Sequence, residues 1–88
     1  MIRKKVLVQN KHGLHARPCS MLVKAASQFR SDFKIEKEDM CINGKSIMGV
    51  MMLAAECGSE LELIFDGIDE VEALETVERL FGSKFSEE

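Results

Sequence analysis

Tryptophan and tyrosine are absent from this 88-residue chain, and proline occurs once, at Pro18. Without Trp or Tyr there is no broad aromatic platform on which nucleic-acid bases stack. The net charge of −3 gives no electrostatic drive toward a polyanion, so nucleic acid is not an expected partner. No apolar run approaches the roughly 20 residues of a membrane span. The opening MIRKKVLVQN holds no apolar stretch long enough for a signal peptide. The expectation is a cytoplasmic protein that does not engage a membrane. The three cysteines, Cys19, Cys41 and Cys57, are odd in number and widely spaced, with no CxxC. They read as reduced thiols serving as small apolar residues, not as a disulfide framework. There is no Walker-type GxxxxGK[ST] loop, no carboxylate pair and no nucleophile–base pair. A stand-alone enzyme is therefore disfavoured, and no cofactor is expected.

What is present fits a folded chain: 45% apolar and 31% charged residues. The length predicts one domain over residues 1–88 with a thin core, which places function at the surface and not in a deep pocket.

Residues 2–9, IRKKVLVQ, read as a strand. Cys19, Leu22, Val23, Ala26 and Phe29 follow the i, i+3, i+4, i+7 spacing of a helix buried on one face, with Lys24, Ser27 and Gln28 turned away. FKIEK (33–37) and MCIN (40–43) alternate, with Phe33, Ile35, Met40 and Ile42 pointing inward, and two residues separate them as in a tight antiparallel hairpin. Ser46 is placed to cap a short helix from about Ile47 to Leu53. SELELIFDG alternates again, with Leu61, Leu63 and Phe65 inward. Asp69, with Glu72 three residues on, reads as a capping box. It opens a last helix whose inner stripe is Val71, Leu74, Val77 and Phe81 and whose stop is Gly82. The tail SKFSEE reads as frayed. The order βαββαβα, with strands apolar on one face only, predicts an α+β fold of two layers with the helices on the apolar face.

The stretch NKHGLHARPCS gathers the chemistry. Pro18 fits the first turn of a helix, where no N–H is needed. His15 then falls at or just before the N-cap, against the unsatisfied N–H groups and the positive end of the helix dipole. Such a place attracts anions and disfavours an imidazolium, leaving a nucleophilic ring. Arg17 adds a permanent charge with a planar fork suited to phosphate oxygens, and Gly13 allows a sharp entry. Taken alone, the spacing favours a plain reading, with His15 an exposed capping residue and Arg17 a surface charge. His12-x-x-His15 straddles a glycine with no Asp, Glu or Cys close by, so no metal site is expected.

GLHARP at the start of one helix, followed about thirty residues later by KSIMGVMML, resembles the histidine-containing phosphocarrier (HPr) family of the phosphoenolpyruvate-dependent phosphotransferase system. The resemblance runs from about residue 2 to residue 82. It implies an open-faced β-sandwich of four antiparallel strands covered on one face by three helices. It implies that His15 accepts a phosphoryl group on Nδ1 from enzyme I and passes it to an enzyme IIA-type protein. Arg17 and the backbone amides of Ala16 and Arg17 would hold the group. The chain would be a monomeric carrier and not an enzyme. In some members of the family the serine matching Ser46 is phosphorylated by a dedicated kinase/phosphorylase (HPr kinase/phosphorylase).

IMGVMML is apolar almost all round, and a helix this short cannot bury every side. Ile47, Met48 and Met51, extended by Ser20 and Met21, are therefore the expected docking surface, with Met48 and Met51 the most exposed. Gly49 reads either as packing or as room for close backbone approach. His12 stands where the family more often carries a small polar residue. It is open to two readings, a local hydrogen bond or a change in phosphate affinity. The stretch NGKSIMGVMMLAAECGSELEL is closer in style to the nitrogen-related branch of the family. The alternative to sugar uptake is thus a regulatory phosphocarrier, or a Ser46-phosphorylated binding module acting on transcription or metabolism.

Overall fold

Alternation of apolar residues builds the sheet that everything else rests on. The computed structural model describes residues 1–86. Its elements run β1 (Ile2–Leu7), α1 (Ala16–Ala26), β2 (Asp32–Lys37), β3 (Met40–Asn43), α2 (Ile47–Met52), β4 (Glu60–Asp66), α3 (Glu70–Gly82) and a 3-10 turn (Lys84–Ser86). The four strands form one antiparallel sheet in the order β1-β4-β2-β3. The architecture is the expected α+β open-faced sandwich, with α1, α2 and α3 packed over one face.

On the covered face, register sets Val6 beside Leu61, Leu61's neighbour Leu63 beside Ile35, and Phe33 beside Phe65. The two phenylalanine rings stack with centroids 4.4 Å apart. On the open face, the register flanks Ile64 with Arg3 and Lys34, and Arg3 reaches Glu62 at 3.5 Å and Glu36 at 3.8 Å. The helices supply Leu22, Cys19, Ala26, Val50, Ala73, Val77 and Phe81 to the same core. Among the described residues, no helix is long and apolar enough to cross a membrane.

Several local expectations give way to packing. Val71 is 52% exposed, and Ala73 takes the inner position with Val77 and Phe81. At about 100° per residue the two lie on opposite sides of α3, and the small Ala73 is the one turned into the core. The capping box does not form: Asp69 makes no side-chain cap bond, and Glu70 instead reaches back to the Gly67 N–H at 3.0 Å. Asp69 is committed elsewhere. Its carboxylate accepts the backbone N–H groups of Arg30 and Ser31, each at 2.9 Å, and the Ser31 hydroxyl, tying the start of α3 to the turn after α1.

α3 does end at Gly82 as expected, but not through a left-handed glycine; that conformation falls on Lys84, Phe85 and Ser86, with φ of 54°, 54° and 59°. The tail is not frayed there. Phe85 is fully buried against Phe81, ring centroids 5.0 Å apart, and its apolar area holds the turn. Glu87 and Glu88 lie outside the described residues. Met40 is exposed at the hairpin end and only Ile42 packs toward the core. Cys41 and Cys57 are exposed, so of the three free thiols only Cys19 serves as an apolar core residue.

The Asp69 carboxyl is lowered from 3.8 to about 2, first by the Ser31 hydroxyl and next by the Arg30 N–H. A depressed folded-state value stabilises the fold above about pH 4, and that contribution is lost as pH falls toward 2. Asp69→Asn should lower the Tm by several degrees at pH 7 and flatten its decline between pH 4 and pH 2. A variant that keeps the wild-type acid profile would show that Asp69 does not anchor this junction.

Candidate functional site

The start of α1 is fixed by the loop that precedes it. The Leu14 N–H donates to the Ala55 carbonyl at 2.8 Å, and the Gly13 N–H donates to the Asn10 carbonyl at 3.1 Å. The buried Asn10 amide donates to the Gly13 carbonyl. Gly13 has φ +70°, and a Cβ there would fall 2.4 Å from the Ala55 oxygen. Only glycine meets both demands without displacing the loop after α2. Leu14, Pro18 and Cys19 then enter the core. The Cys19 thiol donates to the Leu14 carbonyl at 3.2 Å, and burial raises its pKa, which keeps it a donor.

With Leu14 before it and Pro18 and Cys19 after it buried, His15 is left exposed as the N-cap of α1, in an extended conformation (φ −86°, ψ −168°). Its carbonyl accepts the Cys19 N–H at 3.0 Å, the first helical bond. Its side chain makes no cap bond to the first turn. Pro18, third in the helix, has no N–H, so the donors without helical acceptors in that turn belong to Ala16 and Arg17. Arg17 is exposed beside them. The His12 ring meets the His15 ring edge to face, with centroids 6.0 Å apart at 84°. The arrangement is an exposed imidazole at the electropositive end of an eleven-residue helix with a guanidinium on the same turn.

α2 begins differently. Ser46 is its N-cap, and its hydroxyl accepts the Gly49 N–H at 3.0 Å. The Gly49 backbone comes close to β3: a Cβ there would lie 3.2 Å from the Asn43 carbonyl, so close approach is the role of this glycine. Lys45 fixes the entry, its ammonium donating to the Phe29 carbonyl at 2.8 Å. Val50 and Leu53 are buried, and Ile47, Met48, Met51 and Met52 are exposed. Met48 is 76% exposed and Met52 65%, more than Met51. Met52 was missing from the expected docking set, although the i, i+3, i+4 spacing of 48, 51 and 52 carries the signal. On α1, Ser20 is exposed, whereas Met21 is half-buried against the core. Among the described residues, no three His, Cys, Asp or Glu side chains are placed to hold a metal ion.

Residues 2–83 match the family model described as PTS HPr component phosphorylation site. Phosphocarrier protein HPr of Treponema pallidum is 53% identical over 88 residues, covering the whole of both chains. HPr-like protein Crh of Bacillus subtilis is 49% identical over 75 residues, 85% of this chain and 88% of that protein. The crystal structure of HPr from Thermoanaerobacter tengcongensis superimposes with a TM-score of 0.97 at 42% identity, covering 100% of this chain and 99% of that one. An HPr dimer from the same organism gives a TM-score of 0.78 at 41% identity, covering 97% and 98%.

Gly13→Ala should destabilise the protein by more than about 1 kcal/mol, since it combines a positive φ with a backbone collision. Thermal unfolding of the purified variant checks this. An unchanged Tm would mean that the Ala55 contact does not hold the helix start.

Proposed function

Within the HPr family of phosphotransferase-system phosphocarriers, to which the chain belongs, we propose that His15 is the residue that carries the phosphoryl group. The observation that carries the reading is the exposed His15 ring at an N-cap whose side chain does not itself cap the helix. A ring nitrogen attacks the phosphorus of phosphorylated enzyme I; the new N–P bond forms as the bond in the donor breaks. The anionic PO3 group then meets the N–H groups of Ala16 and Arg17, the helix dipole and the Arg17 fork. Transfer to a histidine of an enzyme IIA-type protein reverses these steps. The site is open to solvent on the first helical turn, so neither partner has to unfold the carrier to reach it. The chain acts as a single domain and a monomer in this relay.

The exposed face of α2 is the docking surface for both partners: Ile47, Met48 and Met51 as expected, with Met52 added and Ser20 at its margin. Flexible methionines adapt to more than one partner. Ser46 lies at the foot of this face. A phosphate on its hydroxyl would keep an acceptor at the helix N-terminus while placing charge beside the apolar side chains. Modification of Ser46 by an HPr kinase/phosphorylase would therefore regulate docking without dismantling the fold.

His15→Ala should abolish acid-labile labelling from phosphoenolpyruvate and enzyme I, and Arg17→Ala should slow it by about tenfold or more. Persistent acid-labile label in His15→Ala would overturn the assignment. Met48→Asp should leave stability within about 0.5 kcal/mol of wild type while weakening enzyme I binding. A large loss of stability would show that Met48 is part of the core.

A further inference from the structure

The second imidazole has no part in the transfer chemistry just described, yet it stands at the reacting ring. We propose that His12 is a positioning residue for the phosphoryl group, donating a ring N–H to a phosphoryl oxygen on His15 and, when protonated, acting as its counter-charge. The inference rests on His15 being the phosphoacceptor. Both rings are exposed, and their centroids are 6.0 Å apart, edge to face. That gap is too wide for a direct bond between rings in close stacking. It is about the span of a phosphoryl group seated on one ring and hydrogen-bonded to the other. The backbone keeps the two side chains on neighbouring positions of one loop, because Gly13 and Leu14, between the two histidines, are held against Ala55. No bond is made or broken at His12; it contributes a donor and, in the imidazolium form, a charge.

A histidine here makes retention of the phosphoryl group respond to pH, because imidazole ordinarily changes charge close to neutrality. The other charged and titratable groups on the segments packed at this point are Lys11, His15 and Arg17 on one side and Glu56 and Cys57 on the loop against Gly13. Lys, Arg and Glu side chains ordinarily hold their charge between about pH 5.5 and 8.5. The phosphoimidazole of His15 and the phosphoryl group also titrate in this interval in wild type and variant, and any difference between the two in that titration is itself an effect of His12. The ratio of lifetimes between the two therefore isolates His12, and Cys57→Ser removes the remaining thiol.

The test charges the protein with potassium phosphoramidate, so that no partner enzyme is needed, and follows the decay of phosphohistidine by phosphorus NMR. Wild type should keep the group about two- to fivefold longer than His12→Asn or His12→Gln near pH 6, the range of an exposed ion pair. The two should converge near pH 8.5. In the wild type, phosphorylation should also shift the His12 C2–H titration to higher pH, as linkage requires. A lifetime ratio that does not change with pH, or a shorter wild-type lifetime at pH 6, would overturn the role of His12 alone. Equal phosphohistidine-type labelling of the double variant His12→Asn, His15→Ala would instead overturn the phosphoacceptor on which it depends.

Discussion

The hydrogen bond from the Leu14 N–H to the Ala55 carbonyl decides where α1 begins. It joins the loop before the first helix to the loop after the second, and the absence of a Cβ at Gly13, which would collide with the same carbonyl, lets the two backbones meet. Leu14 enters the core on one side of His15, and Pro18 and Cys19 enter it on the other. His15 is held between buried anchors and has to face solvent. The backbone at His15 is anchored by these packed residues, and its side chain stays at the surface.

The two short N-termini on this face solve the same electrostatic problem in opposite ways. At α2, Ser46 takes up a first-turn N–H with its own hydroxyl, and the helix is closed. At α1, the N-cap side chain makes no such bond, and proline removes one donor outright. A helix start that is not capped by its own side chain is less stable by about 1 kcal/mol. Here the anchors at Leu14, Pro18 and Cys19 offset that loss, and the amides stay directed at whatever anion arrives. In the proposed relay, the phosphoryl group on His15 would supply for part of the cycle what a serine supplies permanently in α2.

Period-two and helical patterns were enough to read the sheet, the three helices and their order, because burial on one face imposes them directly. The HxRP spacing at the opening of a helix likewise placed His15 and Arg17, since helix starts have local rules. What was illegible depended on partners far along the chain. Asp69 looked like a cap because Glu72 follows it, but the turn at Arg30 and Ser31, about 38 residues earlier, claims its carboxylate. Val71 fitted the stripe as well as Ala73 by hydropathy, and only close packing of α3 separates them. Phe85 sat in a polar tail, and no local signal marks three successive left-handed residues that return one ring to the core. Cys41 and Cys57 are exposed for a related reason: composition says nothing about which face of an edge strand or loop a thiol takes.

Stability and recognition are drawn from different parts of the molecule. The core is the covered face of the sheet with Leu22, Val50, Val77, Phe81 and Phe85. The open face adds ion pairs such as Arg3 with Glu62, which at this exposure contribute little. His12, His15, Arg17, Met48 and Met52 all lie outside the core. Substitutions among them should therefore change folding free energy little, which leaves the proposed roles testable without unfolding the domain. Val50 on α2 and Leu53, which caps it, are buried and have no such latitude. The six-residue helix buries one side chain, Val50, and exposes four, so most of its surface is left free of the core.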